Sequence, residues 1–117
     1  MKNKSIIKEK SLSFALDIIE LYKLLKEKKE FVFAQQILKS GTSIGANVEE
    51  ALAAYSKRDF ASKMSISSKE ARETRYWIIL LKESKLVEFD YDYYLNKIDE
   101  IIRILTAIVK TTQEQLT

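Results

Sequence analysis

No proline occurs in the 117 residues, and the only two glycines stand four apart in Ser40-Gly41-Thr42-Ser43-Ile44-Gly45-Ala46-Asn47. Proline removes a backbone donor and clashes with the preceding turn, so a chain without it is stopped only by capping chemistry and local polarity. Long, uninterrupted helices are the expectation. The glycines sharpen it, because each costs a helix interior about 1 kcal/mol against alanine and a pair so placed implies a gain in packing. On a helical wheel Gly41 and Gly45 share the apolar side with Ala34, Ile37, Val48 and Leu52, while Ser40, Ser43 and Asn47 border it as a polar seam. A missing side chain there lets another helix approach closely, and the third helix is the expected neighbour. Small residues and hydroxyls also suit a phosphate-cradling loop, but the lysine spacing of a Walker motif and a preceding β-rich run are both absent.

Apolar periodicity divides the chain into four helices, at about 6–27, 31–54, 57–84 and 92–113, within one domain over 1–117. Phe14, Ile18, Leu21 and Leu25 mark the first; Leu16 and Leu24 fall off its stripe, as ordinary surface or as the edge of a contact with another subunit. Phe33, Ile37, Ile44 and Val48 mark the second, and Tyr94, Ile98, Ile101, Leu105 and Ile108 the fourth, with a fraying tail from Gln113. Ser56 followed by Asp59 is an N-cap arrangement for the third helix, and Asp90 or Asp92 can cap the fourth. Connections this short turn each helix back on its predecessor, giving an all-α, antiparallel up-down-up-down four-helix bundle.

The third helix carries two apolar stripes. Phe60, Met64, Ala71 and Ile78, with small Ser67, Ser68 and Thr74 between them, suit close packing on the second helix. Ile66, Trp77 and Leu80 lie on another side with Glu70 and Glu73. A monomeric bundle needs one stripe per helix, so the second implies a homo-oligomer with Ile66, Glu70, Glu73, Trp77 and Leu80 at its interface.

Chemistry is narrowly bounded. The chain has neither cysteine nor histidine, which removes disulfides, thiolate metal sites, and the commonest metal ligand and general base. Glu49, Glu50, Glu70 and Glu73 come from adjacent helices, but di-metal bundles add a histidine three residues after a glutamate, a position that Glu73 fills here. Neither metal nor cofactor is expected. Glu70 and Glu73 are better read as pairing with Lys69, Arg72, Arg75 or Asn47 in a partly buried network. The net charge is +3, with eleven Lys and Arg against seven Asp and Glu through residue 58 and nine against ten beyond it. Lys2, Lys4, Lys8, Lys10, Lys57, Arg58 and Lys63 are therefore the candidates for phosphate contact, a solvated face being the plainer reading of them. No membrane span and no signal-peptide apolar run is present in the sequence, so a cytoplasmic protein is expected.

Three segments in order, Lys39-Ser40-Gly41-Thr42-Ser43-Ile44-Gly45-Ala46-Asn47-Val48-Glu49-Glu50-Ala51, Ser56-Lys57-Arg58-Asp59-Phe60 and Lys69-Glu70-Ala71-Arg72-Glu73-Thr74-Arg75-Tyr76-Trp77, resemble the bacterial four helix bundle protein family, also called the 23S ribosomal RNA intervening-sequence protein family. The likeness spans nearly the whole chain. It implies an antiparallel bundle that assembles into a ring, a homopentamer, with no enzyme activity. Some relatives are encoded within intervening sequences of ribosomal RNA genes, and a more basic relative, the accessory protein of diversity-generating retroelements, binds nucleic acid and a reverse transcriptase. The expected function is a non-enzymatic oligomeric bundle that binds ribosomal RNA or another nucleic acid; the alternative is a structural or protein-interaction scaffold. A carboxylate-based hydrolase is a weaker third reading.

Overall fold

Four helices, α1 (Lys2–Glu27), α2 (Phe31–Leu52), α3 (Lys57–Ser84) and α4 (Tyr91–Leu116), account for almost all of the computed structural model, which describes residues 2–116. No strand occurs among the described residues. With neither proline nor a turn glycine available, the chain stops its helices by other means. Lys29 and Lys85 take the left-handed conformation, at φ 63° and 56°, which is the geometry that closes helix C-termini and which glycine normally supplies. The Ser56 hydroxyl accepts from the Asp59 amide at 3.0 Å, so the expected cap forms. Asp90 rather than Asp92 caps α4, accepting from the Tyr93 amide at 3.4 Å; Asp92 instead holds Lys82 at 2.7 Å.

Two helix ends depart from expectation by more than two residues. α1 starts at Lys2, a turn before residue 6: Ile7 is fully buried, and the Lys4 side chain reaches across the bundle end to the Phe60 ring. α4 continues to Leu116 instead of fraying at Gln113. Thr112 is buried there and donates to the Ile108 carbonyl at 2.7 Å, so the last turns still belong to the bundle.

Pairs across each seam run in opposite directions along their helices. Ile18 meets Gly41 while Ser11 meets Gly45, Ser67 meets Ile44 while Thr74 meets Ser40, and Arg72 meets Thr106 while Lys82 meets Asp92. Consecutive helices are thus antiparallel. α4 returns beside α1, and α1 and α3 sit diagonally. The molecule is one unit of 47 × 20 × 20 Å, with Phe14, Ile18, Ile37, Ile44, Met64 and Ile98 among its fully buried side chains.

The glycines face α1, not α3. A Cβ on Gly41 would stand 2.8 Å from both γ carbons of Ile18, and one on Gly45 would stand 3.4 Å from the Ser11 hydroxyl. The wheel identifies the inward side of α2 correctly, but that side borders two neighbours, and the glycines occupy the half turned to α1. The half turned to α3 is a hydroxyl seam. Ser67 donates to the Ile44 carbonyl at 2.8 Å, and Thr74 Oγ1 lies 2.9 Å from Ser40 Oγ and 2.8 Å from the Glu70 carbonyl. α2 is therefore approached closely from both flanks. The segment is helical throughout, so the phosphate-loop reading of its sequence does not apply.

Candidate nucleic-acid interface

The start of α1, the end of α2, the start of α3 and the end of α4 meet at one end of the bundle around a cavity of about 770 Å³. Helix length decides this, because α1 must begin at Lys2, and α4 must persist past residue 113, for the four ends to be level. The floor is apolar, with Ala51, Phe60 and Ile108 belonging to the stripes that form the core. The rim is cationic. Lys2, Lys4 and Lys57 line it, and the Lys4 ammonium lies 4.5 Å from the Phe60 ring centroid. Two helix N-termini and two helix C-termini share this end, so their partial charges offset and the lysines set its sign. Tyr55, between α2 and α3, also lines the cavity and is fully exposed, at 105%.

The seven cations read from the sequence divide into two groups. Lys2, Lys4 and Lys57 gather at this end, and Arg58 follows Lys57 as an exposed residue. Among the described residues Lys2, Lys57 and Arg58 make no ion pair. Lys8, Lys10 and Lys63 each face an acid across a helix seam, at 4.0 Å from Glu49, 3.1 Å from Glu100 and 3.3 Å from Glu50. A nearby acid offsets part of the charge of each, whereas Lys2, Lys57 and Arg58 have no such partner among the described residues. Glu49 and Glu50 are accounted for by the same pairs, and no group of three or more potential metal ligands occurs among the described residues.

On the outer side of α3 the expected carboxylate network is replaced by a simpler arrangement. Arg75 donates to Asp99 at 2.7 Å and Arg72 to Thr106 at 3.3 Å, both toward α4, while Asn47 donates to its own helix at the Ser43 carbonyl. Helical spacing puts the two arginines near Glu70 and Glu73 in sequence, but in space both turn toward α4. Glu73 accepts from the Trp77 indole at 3.2 Å, and Trp77, half-buried, packs edge-on against Phe33 of α2. Burial, then the neighbouring Glu73, holds the Glu70 carboxyl above its ordinary value, with Lys39 and Lys69 opposing. Ile66 is exposed and Leu80 half-buried on the same side.

A more exposed apolar stripe lies elsewhere. Leu12, Leu16 and Ile19 point outward from α1, the first two 62% and 60% exposed. Their i, i+4, i+7 spacing, opposite Phe14 and Ile18, was the available sequence signal, of which only Leu16 stood out. Leu24, the other residue off the main stripe, packs against the core instead.

The family model described as 23S rRNA-intervening sequence protein matches residues 3–107. A solved structure from Bacteroides thetaiotaomicron, of a protein of unknown function from the S23 ribosomal protein family, is similar at 46% sequence identity with a TM-score of 0.87; the match covers 92% of this chain and 98% of that one. No curated protein matches the chain.

Proposed function

The chain belongs to the 23S rRNA-intervening sequence protein family, and from that premise we propose that it is a non-enzymatic, oligomeric bundle that binds RNA through its basic end. The observation that carries this reading is the grouping of Lys2, Lys4, Lys57 and Arg58 at one end of the molecule, while Lys8, Lys10 and Lys63 are paired with acids. Unpaired cations are the ones that release counterions from a phosphate backbone, so affinity falls steeply with salt. A filter-binding titration against ribosomal RNA fragments at low and moderate salt tests it. Salt-sensitive binding that weakens on Lys57→Glu combined with Arg58→Glu is expected; no binding at low salt, or binding indifferent to salt, leaves the scaffold reading in place.

Assembly is supported by a separate observation. The chain exposes two unlike apolar faces, Leu12 and Leu16 on α1 and, on the diagonal helix α3, exposed Ile66 with half-buried Trp77 about three turns further along. Closed rings with an odd number of subunits need two different patches that fit each other, a heterologous contact rather than a self-complementary one. A homopentameric ring, the assembly that the family resemblance implies, would use the two faces in that way.

A further inference from the structure

We infer that the cavity at the basic end receives an unpaired nucleotide, so that the protein binds single-stranded RNA in preference to duplex. The inference rests on the RNA-binding reading and adds to it the form of the RNA. Three observations meet there. The cavity, at about 770 Å³, lies in the range of pockets that enclose a small ligand, roughly 300–1,000 Å³. Its composition is that of a nucleotide's complement, with an apolar floor at Ala51, Phe60 and Ile108 and a cationic rim at Lys2, Lys4 and Lys57. Tyr55 stands on its border with its ring entirely open to solvent, and none of the aromatic ring pairs or cation contacts among the described residues involves it.

A duplex offers such a site phosphates, 2′-hydroxyls and shallow minor-groove edges, but no open base face. Its base faces are buried in the stack and its major groove is too narrow for side chains to read, whereas unpaired bases can be splayed out and stacked on aromatic rings. The base therefore stacks on Tyr55 and enters over the apolar floor, while the flanking phosphates meet Lys57 and Lys2. The selectivity comes from the ring; the lysines serve any polyanion alike.

Fluorescence anisotropy with the full chain tests this, using a 3′-labelled single strand of about twelve nucleotides, within the site sizes common for single-strand binders, the same strand fully paired, and heparin as a polyanion without bases. Single strand is expected to bind about tenfold more tightly than duplex, and Tyr55→Ala to remove roughly that factor from the single strand alone, in keeping with the contribution of one stacked base. Tyr55→Phe should retain it. Since Tyr55 has no buried surface to lose, its replacement leaves the fold intact, which a circular-dichroism melt of each variant verifies. Equal affinity for single strand and duplex, or single-strand affinity unchanged in Tyr55→Ala, overturns the inference while leaving RNA binding through the lysines standing. Absence of binding to either RNA at low salt overturns both.

Discussion

Replacing Gly41 and Gly45 by alanine, one at a time, should move stability in opposite directions. At Gly41 the new Cβ would lie 2.8 Å from Ile18 Cγ1 and Cγ2 and 3.2 Å from Ile18 Cβ. Ile18 is fully buried, and its branched side chain has few rotamers to retreat into. Overpacking of this kind costs about 1–3 kcal/mol, against a helix-propensity gain of about 1 kcal/mol, so the net effect is a loss of about 1 kcal/mol. At Gly45 the nearest atoms are the Ser11 hydroxyl at 3.4 Å and its carbonyl oxygen at 3.5 Å, an ordinary contact. There the propensity gain survives, and Gly45→Ala should stabilise by up to about 1 kcal/mol. The two variants then melt roughly 4–8 °C apart by circular dichroism, at about 4 °C per kcal/mol for a chain of this size. They must be compared at one protein concentration, since the proposed assembly would make the midpoint concentration-dependent. A double-mutant cycle isolates the cause: with Ile18→Ala both γ carbons are gone, and Gly41→Ala should then be neutral or stabilising. If Gly41→Ala proves as stable as Gly45→Ala, or remains damaging without the Ile18 γ carbons, the close approach of α1 is not the reason for the glycine.

Other perturbations read other parts of the bundle. The Tyr94 hydroxyl donates to the Asp17 carbonyl at 2.7 Å, and Tyr94→Phe should cost about 1 kcal/mol in a urea melt at neutral pH. Burial first, then the charge of Asp17, pushes this phenol from 10.0 up to about 12; the stability it supplies is whole below pH 10 and is lost as pH rises toward 12, a loss the phenylalanine variant should show less of. Glu70 has the opposite consequence at neutral pH, since its carboxyl sits above 4.5 in the folded chain. The folded state holds that proton more tightly, so stability rises as pH falls through the region just above 4.5, and Glu70→Gln should raise the melting temperature at pH 7 with a margin that shrinks in acid. Lys85→Gly should stabilise by about 1 kcal/mol, because φ there is 56° and glycine meets no penalty in that region; a lower melting temperature would show that the lysine side chain matters more than its backbone. Light scattering of the wild type should give several times 13.6 kDa, and Leu16→Glu should lower it; a wild type monomeric at micromolar concentration removes the assembly argument.

Much of this architecture was legible because helical periodicity reports burial directly. Phe14, Ile18, Ile37, Ile44, Ile78 and Ile98, each on a sequence stripe, are all fully buried, and the Ser56 cap follows from local chemistry alone. Identity of neighbours was less accessible. The wheel places Gly41 inward but cannot say whether α1 or α3 lies against it, because that depends on how helices are arranged around the axis. The lysines failed to act as one set for a related reason: Lys10 meets Glu100, ninety residues away, only once α1 and α4 are in register. The cavity at the bundle end was not visible at all, since it requires Lys2 and Lys4 to be helical and level with Phe60.

The seam between α1 and α4 bears on how the chain reaches its fold. Every other seam joins helices consecutive in sequence, whose pairing closes only a short loop. This one joins the first helix to the last, through Lys97 and Asp17 at 2.6 Å, Tyr93 on the same carboxylate at 3.3 Å, and Lys10 with Glu100. Its contacts span some eighty residues, so the entropy of closing them is paid in full unless α2 and α3 have already docked. The three hairpin contacts therefore form early, and the rate belongs to the fast class of mainly local topologies. Unfolding retraces that order, and amide exchange should find the α1–α4 seam opening before the α2–α3 seam, where Ser40, Ser67 and Thr74 are buried.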